Sequence, residues 1–385
     1  MSQPNLPKDF LRYLKPRLPE MLATLRQFVS TESPSLEKAA ADRCCGVIAS
    51  AWRKRGASVE RIAQKLRGDH LRATWWPHKS RPAGQLLVLG HYDTVYATGT
   101  LAKMPFRISA GKAYGPGVFD MKAGIVQALF ALETLQHAQI PIQKRLVFLW
   151  TSDEEIGSDS SRKLLEAEAR RSDAVFVLEP SFGPRGLIKT ARKGVGEAEL
   201  IVHGRASHAG LAPQEGINAI HELALQIERI QKWNDHRRGV SVNVCKIEGG
   251  TRTNVIPERA KTIFDLRALH TADIRRIEQR LHSLRPILRG ARLEFHGGFS
   301  RPPLEHKISA GLFARAKSLA SQMGLALGEC TVGGGSDGNL TAALGIPTLD
   351  GLGAVGDGAH STHEHIQINA MPQRSALLAA LLASS

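Results

Sequence analysis

Hydrophobic residues recur at helical spacing from Phe10 to Val29 and again from Glu37 to Trp52, which predicts helices at the start of the chain. Three short apolar runs follow, Leu86 to Leu89, Leu146 to Trp150 and Ala174 to Leu178. Each is partly β-branched or aromatic and is bounded by turn-forming or charged residues, so each reads as a buried strand. A helix-compatible stretch, Ala123 to His137, lies between the first two. Strands alternating with helices predict a largely parallel α/β sheet.

The pattern changes near Lys193. Residues 197–203 alternate like a half-exposed strand, and an amphipathic helix is expected from about Asn218 to Trp233. Strand patterns at Val240 to Ile247 and Lys261 to Ala268 precede another helix, Ala272 to Leu284. Strand-helix-strand-strand-helix-strand order predicts a compact α+β unit of ferredoxin-like type. From Pro302 onward the chain returns to helix and buried-strand patterns that would complete the first sheet. The expected organisation is one domain built from residues 1–192 and 301–385, with 193–300 inserted into it.

Composition narrows the class. At about 150 residues per domain, 385 residues make two or three domains. An apolar fraction of 42% and a charged fraction of 23% exclude a disordered or collagen-like chain. Four cysteines without a CxxC pair point to reduced thiols rather than a disulfide framework. Met1 to Lys8 lacks the apolar core of a secretory signal. The longest apolar run, Ala376 to Ala383, falls short of the roughly 20 residues that cross a bilayer. These features lead us to expect a cytoplasmic protein with no membrane partner. The net charge of +15 raises nucleic acid as a partner, with Arg53-Lys54-Arg55 and Arg275-Arg276 as its basic stretches. No groove-reading motif accompanies them and aromatics are only 5%, so no nucleic-acid partner is expected.

Candidate chemistry sits where the strands end. His91-Tyr92-Asp93 follows the first run, Asp153-Glu154-Glu155 the second and Glu179-Pro180 the third. Asp120 stands at the mouth of the helix that begins near Ala123. Ligands of open α/β sheets bind beyond the carboxyl ends of the strands, so one edge would collect several carboxylates and an imidazole. Unpaired, those carboxylates repel; a divalent cation resolves the conflict. Imidazole and carboxylate without thiolate suit zinc, and also cobalt or manganese. His91, Asp120, Glu155, Glu179 and a late histidine exceed what one tetrahedral ion needs. Two ions sharing a bridging Asp would use all five. His360, His363 and His365 are the late candidates, with His360 favoured. Asp93 would orient the His91 ring. Taken singly, each residue has a bland reading: Asp120 as an N-cap, Glu154 and Glu155 as a solvated pair at a helix start.

Together these segments resemble the M20 metallopeptidase family, in its glutamate carboxypeptidase-like subgroup. The likeness extends to Ser207-His208-Ala209-Gly210, Thr253-Asn254-Val255-Ile256-Pro257 and His360-Ser361-Thr362-His363-Glu364. It spans about residues 85–365. The resemblance implies a zinc-exopeptidase-like catalytic domain with an inserted lid and dimerisation domain. It also implies two zinc ions, one held by His91, Asp120 and Glu179, the other by Asp120, Glu155 and His360. Glu154 would be the general base, and His208 an oxyanion donor supplied across a homodimer. Asn254 and Arg301 would bind the substrate's terminal carboxylate, with Arg267 supporting them. Apart from the resemblance, the loop at 333–338 lets backbone approach a substrate closely, which makes Gly335 a substrate-contact candidate, and Arg192 is a candidate cationic contact. A cis Asp120–Met121 peptide is expected by the same likeness. The implied reaction cleaves a small peptide or N-acyl amino acid and releases a C-terminal residue such as glutamate. A deacylase of the acetylornithine type or a dipeptidase would share the same centre.

Overall fold

Leu86 and Val88 pack into one hydrophobic cluster and Leu87 and Leu89 into another, so both faces of their strand are buried. That double burial explains why the strand is a continuous apolar run rather than an alternating one. The structure is a computed structural model that describes residues 5–385. It contains two compact units: one is residues up to Thr190 with 306–331 and 336–385, the other is 191–305 with 332–335.

The first unit is built on a six-stranded sheet in the order Ser58–Ile62, His70–Trp75, Arg145–Thr151, Gln85–His91, Ala174–Val177, Thr348–Leu349. The last four run parallel, and the first two add an antiparallel edge. One face packs Phe148, Trp150 and Phe176 against helices Lys38–Lys54, which supplies Trp52, Ala123–His137 and Ala370–Ser384. The other face packs Val147, Leu149 and Val177 against Leu165 and Ala169 of helix Arg162–Arg170. A small antiparallel sheet pairs His365–Gln367 with both Gly356–Asp357 and Lys112–Tyr114. This brings the late histidine loop beside the chain leading to Asp120.

Two details depart from the sequence pattern. The helix expected from Phe10 to Val29 is interrupted, with Leu6–Leu14 and Leu18–Val29 separated by a 3₁₀ turn at Lys15–Arg17. Pro16 lacks the N–H that would continue the first helix, and Pro19 fits the first turn of the next. The edge strands Ser58–Ile62 and His70–Trp75 had no strong apolar run to announce them.

The second unit has a four-stranded antiparallel sheet in the order Ser241–Gly249, Arg259–Ala268, Gly194–His203, Arg292–Arg301. Helices Ala219–Gln231 and Thr271–His282 supply Leu223, Ile230, Ile277 and Leu281 to its core, giving the ferredoxin-like α+β arrangement. Among the described residues, no helix is long and apolar enough to cross a membrane.

Candidate metal centre

The three adjacent parallel strands of the first unit end in chemistry. His91 closes the middle strand, Glu154 and Glu155 occupy a 3₁₀ turn after Arg145–Thr151, and Glu179 follows Ala174–Val177. Asp120 lies in the turn Val118–Lys122, where its peptide to Met121 is cis. His360 comes from the loop between Gly356–Asp357 and His365–Gln367 and has φ of 61°, in the left-handed region that side chains seldom occupy.

These residues converge as two triads sharing Asp120. His91 Nε2 lies 3.4 Å from Asp120 Oδ1 and 3.5 Å from Glu179 Oε1. His360 Nε2 lies 3.4 Å from Asp120 Oδ2 and 3.1 Å from Glu155 Oε2. In each triad the donor atoms fall within 4.8 Å of one another. Asp120 Oδ1 is buried without a hydrogen-bond partner, a costly state for a carboxylate. The donor set, two imidazoles and three carboxylates around that orphaned oxygen, fits a pair of divalent cations. His363 and His365 belong to neither triad; their rings engage Ser361 and the backbone of His363.

Electrostatics match this crowding. Burial works against a charged His91, yet the adjoining carboxylates of Asp120, Asp93 and Glu179 hold its pKa well above the usual histidine value. Hydrogen bonds to Asp120 and Glu155 raise His360 to about 10. Burial raises Glu155, whereas Asp120, although buried, is drawn down by both histidines. Positive charge is thus strongly favoured at this edge.

Asp93 is fully buried and ties two ligand segments together. Its main-chain oxygen is 3.0 Å from His91 Nδ1, and its carboxylate accepts the amides of Glu154 and Glu155 at 3.3 Å. Ser35 Oγ donates to it at 2.7 Å. Glu154, half-buried, stands beside Glu155 but in neither triad.

Glu364 has a positioning role that sequence reasoning did not assign. Fully buried, it accepts the backbone N–H groups of Gly117, Phe119 and Asp120 at 2.8–2.9 Å. It therefore links the His360 loop to the Asp120 turn. Lys122, also buried, donates to the carbonyls of Phe28 and Thr31 and anchors the far side of that turn. The sequence signal was a charged residue beside each ligand motif.

The remaining candidates lie in the second unit. His208 is exposed, and its Nδ1 accepts from the amides of Gly210 and Leu211 at 3.1 Å, which leaves the proton on Nε2. The neighbouring chain pairs with it: the Ala209 amide donates to the Asn254 carbonyl at 2.9 Å, and the Asn254 side chain belongs to an exposed residue. Arg267 grips Asp265, its Nη2 standing 2.7 Å from Oδ2, and donates to the Gly333 carbonyl. Arg192 donates to the carbonyls of Gly334 and Gly335 at 3.1 and 3.2 Å. Arg301 is buried at the end of Arg292–Arg301.

A family model described as peptidase family M20/M25/M40 matches residues 87–384. Carboxypeptidase G2 from Pseudomonas sp. (strain RS-16) is 31% identical over 316 residues, covering 79% of this chain and 74% of that protein. Succinyl-diaminopimelate desuccinylase from Paraburkholderia xenovorans (strain LB400) is 31% identical over 305 residues, covering 74% of this chain and 79% of that one. The crystal structure of aminopeptidase PepT from Bacillus cereus ATCC 10987 shares the fold, with a TM-score of 0.78 at 22% identity over 95% of this chain and 98% of that one. With most of its length matched by the family model, the chain belongs to peptidase family M20/M25/M40.

Proposed function

We propose that this chain is a dinuclear zinc hydrolase that cleaves an amide bond and releases a C-terminal amino acid, glutamate being the preferred one. Membership of the family makes it a metal-dependent, amide-cleaving enzyme; the zinc pair and the substrate are the proposal. One observation carries it: Asp120 is shared by two triads, each within 3.4 Å of a histidine. His91, Asp120 and Glu179 would hold one ion and Asp120, Glu155 and His360 the other; cobalt or manganese suits the same donors. Bound there, two cations supply a water of lowered pKa and polarisation of the amide carbonyl.

The protein's own residues do the rest. Glu154 takes a proton as the water attacks and returns it to the leaving amine. Asp93 keeps the Glu154 turn and the His91 ring in register with each other. His208, with its proton on Nε2, donates to the developing oxyanion. Asn254 and Arg301 bind the terminal carboxylate, Arg267 supports them, and Arg192 orders the Gly334–Gly335 backbone on which Gly335 meets substrate. The domain at 193–300 would act as lid and dimerisation surface, with His208 serving a homodimer partner. Four free thiols suit a reducing, cytoplasmic setting.

A second reading, an N-acyl-amino acid deacylase, is favoured by the similarity to a desuccinylase. A panel of acyl-glutamates, acyl-ornithine, N-succinyl-diaminopimelate and dipeptides, given to zinc-loaded protein with the released amino acid identified, decides between them. Glutamate released fastest supports the first reading; a diamino acid released fastest replaces it with the second.

A further inference from the structure

The turn that carries Glu154 and Glu155 depends on contacts from outside itself. Within it the Gly157 amide donates to the Glu154 carbonyl at 3.1 Å and the Ser158 amide to the Asp153 carbonyl at 2.8 Å. Ser158, which closes the turn, has φ of 62°, in the left-handed region that persists only where the surroundings impose it. Asp93 holds the turn through the Glu154 and Glu155 amides, and the Ser158 hydroxyl donates to Asp337. A third support is His70, a fully buried imidazole outside both triads.

His70 opens strand His70–Trp75, which pairs with Arg145–Thr151, the strand leading into the turn. Its Nδ1 lies 3.1 Å from Ser152 Oγ and its Nε2 3.2 Å from Ser160 Oγ. Ser152 stands before the turn and Ser160 after it, so one ring joins the two ends. An imidazole has two separate hydrogen-bonding nitrogens, which is what a single side chain needs for that grip. Both serines are tied further. Ser152 Oγ donates to the Gly68 carbonyl at 2.5 Å. Ser160 Oγ donates at 2.7 Å to Asp153 Oδ2, which also accepts the Ser160 and Ser161 amides.

The residues before His70 reach a second ligand segment. The Asp69 carbonyl accepts the Tyr92 hydroxyl at 2.5 Å, and Tyr92 lies between His91 and Asp93. A Cβ at Gly68 would stand 2.6 Å from Ala41 Cβ and 2.8 Å from the Tyr92 hydroxyl, so glycine lets this loop seat against both segments.

We propose that His70 is a positioning residue for the general base: by gripping Ser152 and Ser160 together it fixes the turn between them and so aims the Glu154 carboxylate. The inference rests on the assignment of Glu154 as base. His70 touches neither substrate nor metal ligand and acts only through the turn.

The test uses zinc-loaded enzyme and the amide it cleaves best. Small misplacement of a catalytic group costs up to about 100-fold, so His70→Leu should lower kcat roughly 10- to 100-fold with KM within about threefold of wild type. His70→Gln and His70→Asn, each keeping one serine partner, should fall between. A residue that acts only through Glu154 has nothing left to aim once the base is gone, so E154A/H70L should match E154A within about threefold. In the zinc-free protein, amide exchange across 152–161 should quicken at least about tenfold in H70L, with strand Ala174–Val177 unchanged. A kcat for H70L within about threefold of wild type, unchanged exchange across 152–161, or losses that multiply in the double variant each overturn the proposal. Should His70→Leu fail to fold, the same comparisons apply to His70→Gln and His70→Asn. An E154A enzyme as fast as wild type overturns the assignment of the base, and this inference with it.

Discussion

Replacing Glu364 by Gln isolates the link between the two ligand-bearing loops. The wild-type carboxylate receives three backbone N–H groups, among them that of Asp120. Gln keeps the shape, but one oxygen becomes an NH₂ that faces a donor, leaving a buried amide unpaired at a cost of about 1–3 kcal/mol. An opposing effect operates in the metal-free protein. Burial, with the nearby Asp120 charge contributing, pushes the Glu364 carboxyl up to about 7, so a neutral side chain is welcome there. The two effects nearly cancel, and apo stability should change little. Metal reverses the second effect, because divalent cations on Asp120 attract the Glu364 charge instead of Asp120 repelling it. At an effective dielectric of about 20, the attraction between a divalent cation and a carboxylate beyond its own ligands is on the order of 4 kcal/mol before screening. Allowing for half of it to be screened, zinc affinity should fall roughly 10- to 100-fold. Isothermal titration of zinc into apo wild type and E364Q, with thermal unfolding of both apo proteins, measures the split. Zinc affinity within threefold of wild type, together with a large drop in apo stability, would refute the reasoning and make Glu364 a simple fold anchor.

Other outcomes follow from the same geometry. With both histidine pKa values raised, His91 and His360 carry protons near pH 6 and must lose them to bind metal, so zinc loading at that pH should release about two protons in weakly buffered solution. Affinity should correspondingly strengthen as pH rises; release of no protons would contradict the histidine assignments. Removing His360 with Ala should cut bound zinc from two ions to one by metal analysis, while His363→Ala should leave it at two. Glu154→Ala should keep both ions but lower kcat roughly 10²–10⁴-fold, with KM little changed. Leu89→Ala, fully buried in the sheet face under helix Arg162–Arg170, should cost about 2–5 kcal/mol in urea unfolding.

Much of the fold was readable because its signals are strong and local. The runs around Leu86, Leu146 and Ala174 are apolar throughout, since helices cover both faces of the parallel strands. Ser58–Ile62 is mostly exposed, so its polar sequence resembled a loop until its pairing with His70–Trp75 revealed it. Strands of two or three residues, such as Gly356–Asp357, carry too few positions for any period to show. The segment 332–335, which groups with the second unit, gave no sign of its allegiance because that grouping depends on distant contacts.

At the site, His91, Glu155 and Glu179 stood out because each ends or follows a strand in sequence, and Asp120 because it stands at the mouth of a helix. What supports them did not. Glu364 meets Gly117 from 247 residues away, and Ser35 reaches Asp93 across 58. No local pattern encodes such a contact; it follows only once the small sheet and the loop at 33–37 are folded. The net charge of +15, prominent in the composition, bears on none of these features.

The central claim is that two metal ions share Asp120. Anomalous diffraction at the zinc edge from crystals of zinc-loaded protein tests it most directly. The account predicts two peaks about 3.5–4 Å apart, one between His91 and Glu179, the other between Glu155 and His360, both in contact with Asp120. A single peak, or two peaks of which either lies away from Asp120, would contradict it.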